Sequence, residues 1–128
     1  MKQKIIEVLM VEPGREPSLV QLTNELTALQ TAVSVGADYV GLIEIIPLND
    51  ELCILCNEEG KILNLEPNRR LGRDILCGVF YVTGQNEDGD LTSLPDHLIQ
   101  QYSSYFATPD DISKDEIDEA TMFKFFIC

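Results

Sequence analysis

Four of the nine basic side chains of this 128-residue chain fall between Lys61 and Arg73: Lys61, Arg69, Arg70 and Arg73. Glu66 is the one acid among them, so the stretch carries +3 in a chain of net charge −13. Arginine presents a planar fork of donors that matches a phosphate or a carboxylate. Pro67 stiffens the stretch, Asn68 can bond its own backbone or a ligand, and Gly60 and Gly72 leave room for close approach. With Asn57 at the turn before them, Lys61, Asn68, Arg69, Arg70 and Arg73 make a candidate cradle for an anionic small molecule of nucleotide type. Tyr81 or Phe80 would stack its base. The competing reading pairs these arginines with acids of the same chain. No phosphate-loop motif with its lysine is present, which argues against nucleotide hydrolysis.

The opposite charge collects at the other end. From Gln85 to Cys128 ten acids face Lys114 and Lys124, a net −8. Within "DDISKDEIDE" and its surroundings, Asp110, Asp111, Asp115, Glu116, Asp118 and Glu119 form either a solvated helix face or a track of carboxylates. Such a track can imitate the phosphates of DNA and occupy a basic host protein. The order of acids does not match a calcium loop, which needs a glycine turn and alternating aspartates.

Other reactive residues are sparse. His97 is the only histidine, and no serine or cysteine stands at a suggestive spacing from it. Cys53 and Cys56 form a C-x-x-C, but within a strand residues three apart point to opposite faces, so their sulfurs diverge. No second cysteine pair completes a zinc site. The expectation is therefore a binding protein rather than an enzyme, with no metal and no cofactor.

The totals set the context. Apolar residues at 45% suffice for the core of one domain over residues 1–128. The acidic balance disfavours direct binding to nucleic acid or to an anionic membrane. The N-terminus "MKQKIIEVLMVEPG" reads as a strand rather than a signal peptide, and no apolar run is long enough to span a membrane. Cys53, Cys56, Cys77 and Cys128 mostly sit in apolar runs and read as reduced thiols of a cytoplasmic protein in a bacterial cell.

Periodicity places these residues on an α+β frame: a mainly antiparallel sheet of about five strands, with two or three helices packed on one side. Strands are expected at Ile5 to Glu12, Leu19 to Leu22, and within "DYVGLIEIIPL". "ELCILCNEEGKILNL" reads as a hairpin that turns at Asn57 to Gly60, with its first strand central because it is apolar on both faces. "EPNRRLGR" reads as a loop, and "DILCGVFYVTG" as one buried strand with a bulge or close approach at Gly78. A helix is expected after an Asn24 cap and before Gly36. Two more follow the pairs Ser93 with Asp96 and Ser113 with Glu116. The aromatic end "MFKFFIC" either finishes the core or forms a homodimer seam.

The order of these segments resembles the family catalogued as domain of unknown function 3846. The resemblance runs over residues 4–106 and is most specific at Asn57-Glu58-Glu59-Gly60-Lys61, at Pro67-Asn68-Arg69, and at Gly78 in its apolar strand. Where the family tends to place a glycine and a second proline before its Asn-Arg, this chain has Asn64 and Glu66. Residues 107–128 lie beyond the resemblance as an acidic and aromatic extension. The resemblance implies a small protein of a bacteriophage or mobile element, in which counter-defence is one expected role. It implies no activity.

Overall fold

Consecutive apolar residues such as "LCILC" leave a strand no polar face to turn to water, so both faces must be covered. In the computed structural model, which describes residues 4–60 and 63–119, that requirement organises the fold. In chain order the elements are β1 Ile5–Val11, β2 Ser18–Thr23, α1 Leu26–Ala32, β3 Ile43–Pro47, β4 Leu52–Asn57, β5 Pro67–Leu71, β6 Asp74–Cys77, β7 Phe80–Gln85, β8 Leu91–Thr92 and α2 Asp96–Tyr105. A further helical stretch covers residues 114–119. The main sheet is antiparallel throughout, in the order β2-β1-β7-β4-β3, with β8 paired to β7.

Every residue of β4 is buried, and its side chains alternate between two cores. Leu52, Ile54 and Cys56 join Phe80 and Val82 on the face covered by Leu98 and Phe106 of the α2 region. Cys53, Leu55 and Tyr81 join Ile6 and Val8 on the face covered by Leu29 and Val33 of the α1 region. The helices thus lie on opposite faces of the sheet, not together on one side as the sequence suggested. Each fully buried Leu, Ile or Phe contributes about 1.5–3 kcal/mol, so the doubly apolar strands draw cover to both sides. The alternation also separates Cys53 from Cys56, as the spacing predicts. Burial pushes the Cys53 thiol up from its ordinary value, and a hydrogen bond with Thr83 opposes the shift only in part.

The hairpin lies one element later than the sequence suggested. β4 already has β3 on one side and β7 on the other, so no strand can fold back on it after Asn57. Gly60 instead sits against the Cys77 carbonyl, where an added Cβ would lie 2.7 Å from the oxygen. The stretch read as a loop, "PNRRL", is β5, and it pairs with β6 across the turn at Gly72 and Arg73. Gly78, at φ +82°, breaks the expected single strand into β6 and β7. A backbone turn into that region costs a residue with a Cβ roughly 1–2 kcal/mol.

Two of the predicted caps have other work. Asn24 donates its side-chain amide to the Leu91 carbonyl at 3.3 Å, and α1 starts after Glu25 without a side-chain cap. The Ser93 hydroxyl accepts the Glu7 N–H at 2.9 Å, and α2 starts after Pro95. Ser113 does cap the last helical stretch, accepting the Glu116 N–H at 3.2 Å. The strand expected over "DYVGLIEIIPL" is regular only in β3. No helix among the described residues is long and apolar enough to cross a membrane. Cys128 and the run "MFKFFIC" lie outside the described residues.

Candidate functional site

The candidate anion cradle lies on β5, and the strand divides it. The register between β5 and β6 slips between Pro67 and Arg69, so Asn68 is an extra residue in the ladder. Such a bulge turns two successive side chains the same way. Asn68 and Arg69 are both buried, while Arg70 is exposed.

Arg69 is 1% exposed and sits beneath the segment that leaves α2. Its Nε and Nη2 donate to the Phe106 carbonyl at 3.2 and 2.9 Å. Nη2 also donates to the Arg15 carbonyl at 2.6 Å, and Nη1 to the Asn68 carbonyl and Oδ1 at 3.2 and 2.7 Å. Burial pushes the guanidinium down from its ordinary value, and the charge of Asp110 opposes that shift. Asn68 is the second half of the joint. Its Nδ2 donates to the carbonyls of Val11 and Gly78, each at 2.8 Å. The Gly78 N–H in turn donates to the Glu66 carbonyl at 2.7 Å. These side chains tie β1, the β5–β6 hairpin, the turn at Arg15 and the end of α2 into one unit.

Arg70 points the other way and meets the acidic segment. Its Nε and Nη2 donate to the two carboxylate oxygens of Glu116 at 2.5 and 2.8 Å. Nη2 also donates to the Asp111 carbonyl at 2.9 Å. Asp110 accepts the Arg70 backbone N–H at 2.9 Å and stands 3.6 Å from Nη1. The fork-on-fork contact raises the guanidinium above its ordinary value and holds the Glu116 carboxyl below its own. The alternative reading made from sequence, arginines paired with acids of the C-terminal segment, describes Arg70.

The remaining candidates scatter. Arg73 is exposed at the hairpin turn, and Lys61 lies outside the described residues. Asn57 is buried at the end of β4, where its Oδ1 accepts the Glu59 N–H at 2.8 Å. Its Nδ2 has no partner among the described residues and faces Gly41. Phe80 and Tyr81 lie inside the two cores, and the Tyr81 hydroxyl donates to the Ala32 carbonyl at 3.0 Å. Neither ring is placed to stack on a base. His97 is exposed on α2.

A groove of about 370 Å³ runs beside Arg70 and Arg73. Asp74, Glu116 and Glu119 also line it, so its two cations face three carboxylates. Of the acids proposed from sequence as a docking track, Asp110 and Glu116 are engaged by Arg70, while Asp111, Asp115, Asp118 and Glu119 have exposed side chains. Asp115 and Glu119 stand four residues apart and share one side of the helical stretch. Ile112 and Ile117 pack inward on Leu65, Ile75 and Cys77. No cluster of three or more metal-binding side chains occurs among the described residues.

Sequence could have exposed the Arg69 joint only through the bulge. Nothing in "PNRR" marks which arginine turns inward, because an extra residue in a ladder changes the alternation without changing the residue types. The family model described as Domain of unknown function (DUF3846) matches residues 6–107. No curated protein and no solved structure matches.

Proposed function

The chain belongs to the DUF3846 family of domains of unknown function, and we propose that it is a non-enzymatic binding protein whose acidic C-terminal surface occupies a basic site on another protein. The site in question is one that otherwise holds nucleic acid. One observation carries the reading: the two arginines best suited to an anion are engaged within the fold, while carboxylates beside them face solvent. Residues 108–119 hold six acids against Lys114, and Arg70 offsets only part of that charge. Clefts and faces of one sign steer partners of the other sign and raise association rates. Such an inhibitor needs no catalytic group, which suits a small phage or mobile-element protein with a counter-defence role in a bacterial cytoplasm.

A second reading keeps the anionic ligand. The groove between Arg70 and Arg73 supports it, although an incoming phosphate would have to displace Glu116 from Arg70.

Capture from bacterial lysate separates the two. The intact protein should recover nucleic-acid-binding proteins that leave as salt rises and that added duplex DNA displaces. A variant carrying Asp111→Asn, Asp115→Asn, Asp118→Asn and Glu119→Gln should recover none of them. Recovery of the same partners by both proteins would overturn the proposal. A thermal-shift series with nucleotides should stay flat; a shift that Arg70→Glu removes would favour the groove.

A further inference from the structure

We infer that the outer edge of β3 accepts an extended, basic segment of another protein as an added strand. The inference uses none of residues 108–119 and stands without them.

β3 ends the described sheet, with β4 as its one neighbour there. The register sets which backbone groups point outward. Leu48 N–H donates to the Leu52 carbonyl and Glu58 N–H to the Leu42 carbonyl, so residues 42 and 48 bond inward to β4. By alternation Glu44 and Ile46 do the same, opposite Cys56 and Ile54. Ile43, Ile45 and Pro47 therefore direct their backbone groups away from β4. The edge offers the N–H groups of Ile43 and Ile45 and the carbonyls of all three, while Pro47 has no N–H to give. Proline is a common device for limiting edge pairing, and here it confines addition to a short segment.

The side chains around this edge are unusually apolar for an exposed surface. Ile45 is 54% exposed, and Tyr39, Val40 and Leu42, just before the strand, are 52%, 58% and 56% exposed. Apolar exposure of this extent beside a strand edge with no partner among the described residues marks an interaction surface.

Charge selects the occupant. Between Glu16 and Gly60 the chain has eight acids and not one lysine, arginine or histidine. Five of those acids flank β3 in sequence, Asp38, Asp50, Glu51, Glu58 and Glu59, and Glu44 lies within it. Two copies meeting edge to edge would bring these carboxylates together, and like charges placed opposite one another destabilise a strand pair. A strand that alternates apolar and basic residues complements both features, its apolar side chains on Ile45 and its cations among the carboxylates.

The test uses the full chain and a capped Lys-Val-Lys-Val-Lys-Val peptide, with a control of equal charge in which the central valine is proline. Amide exchange at Ile43 and Ile45 is followed by NMR. The alternating peptide should slow both amides roughly tenfold or more at saturation, because added-strand hydrogen bonds must open before exchange. The proline peptide should leave them unchanged, and Ile45→Lys should abolish the effect of the alternating peptide. The variant with four neutralised C-terminal carboxylates should still show the protection, so this proposal and the previous one fail separately. Equal effects of the two peptides would reduce the contact to charge attraction and overturn strand addition. Ile43 and Ile45 amides that are protected without peptide would show the edge already covered, by a second copy or by this chain, and would overturn it as well.

Discussion

On the inner side of β5, Arg69 directs all its donor nitrogens at oxygen atoms of the fold, most of them backbone carbonyls. On the outer side, Arg70 meets two carboxylates in contact with solvent. The residues are neighbours of identical chemistry, and strand alternation sends them to opposite environments, the bulge at Asn68 setting which of them turns inward. The inner site is buried, so the Phe106 and Asn68 carbonyls there depend on their donor. The outer site is wet, where water and salt can stand in for either partner. The positive charge of this stretch therefore has two separate jobs. Arg69 is a joint between the hairpin, β1 and the end of α2. Arg70 is a strap that positions the acidic segment.

The comparison is tested most severely by removing the inner guanidinium. Arg69→Ala leaves the buried Phe106 carbonyl without its donor and should cost about 3–5 kcal/mol in urea unfolding. A loss no larger than that of Arg70→Ala would break the distinction. Asn68→Ala removes the donors to Val11 and Gly78 and should cost roughly 2–3 kcal/mol, with the same measurement as the check. Gly78→Ala forces a Cβ onto a φ of +82° and within 2.8 Å of Leu65 Cδ1. A loss of about 1–2 kcal/mol is expected from the backbone strain alone.

The outer contact should give the smallest effect and the one most sensitive to conditions. Arg70→Ala should lower Tm less than any of the changes above, and the difference should shrink at high salt. Because Arg70 holds the Glu116 carboxyl below its usual range, the contribution of the pair is present at neutral pH and is lost as acid protonates that carboxylate. The gap in Tm between the wild type and Glu116→Gln should therefore close as pH falls through the depressed value. A gap that widens in acid would contradict the pairing.

Much of the frame was legible in the sequence. Apolar runs marked β1, β4 and β7, and the burial of β4 followed from its having no polar face. The same run implies cover on both faces, whereas nothing in the helical segments themselves tells which face each helix takes. The hairpin was displaced by one element, because Asn57 to Gly60 has turn chemistry while the strand before it already has two neighbours. Local residue types cannot report that occupancy. The basic stretch was visible as a charge count, but which arginine turns inward depends on the bulge at Asn68. Resemblance to the family singled out Pro67-Asn68-Arg69 and Gly78, and in the fold Asn68, Arg69 and Gly78 meet in one hydrogen-bonded joint. That joint gives these positions an architectural role.

The most direct measurement is the exchange of the Arg69 Nε–Hε proton with water, followed by NMR with and without added inorganic phosphate. A guanidinium fixed on the Phe106 and Arg15 carbonyls predicts slow exchange and a resonance that phosphate does not move. Rapid exchange, together with a shift on adding phosphate, would show that Arg69 meets outside anions and would contradict the account.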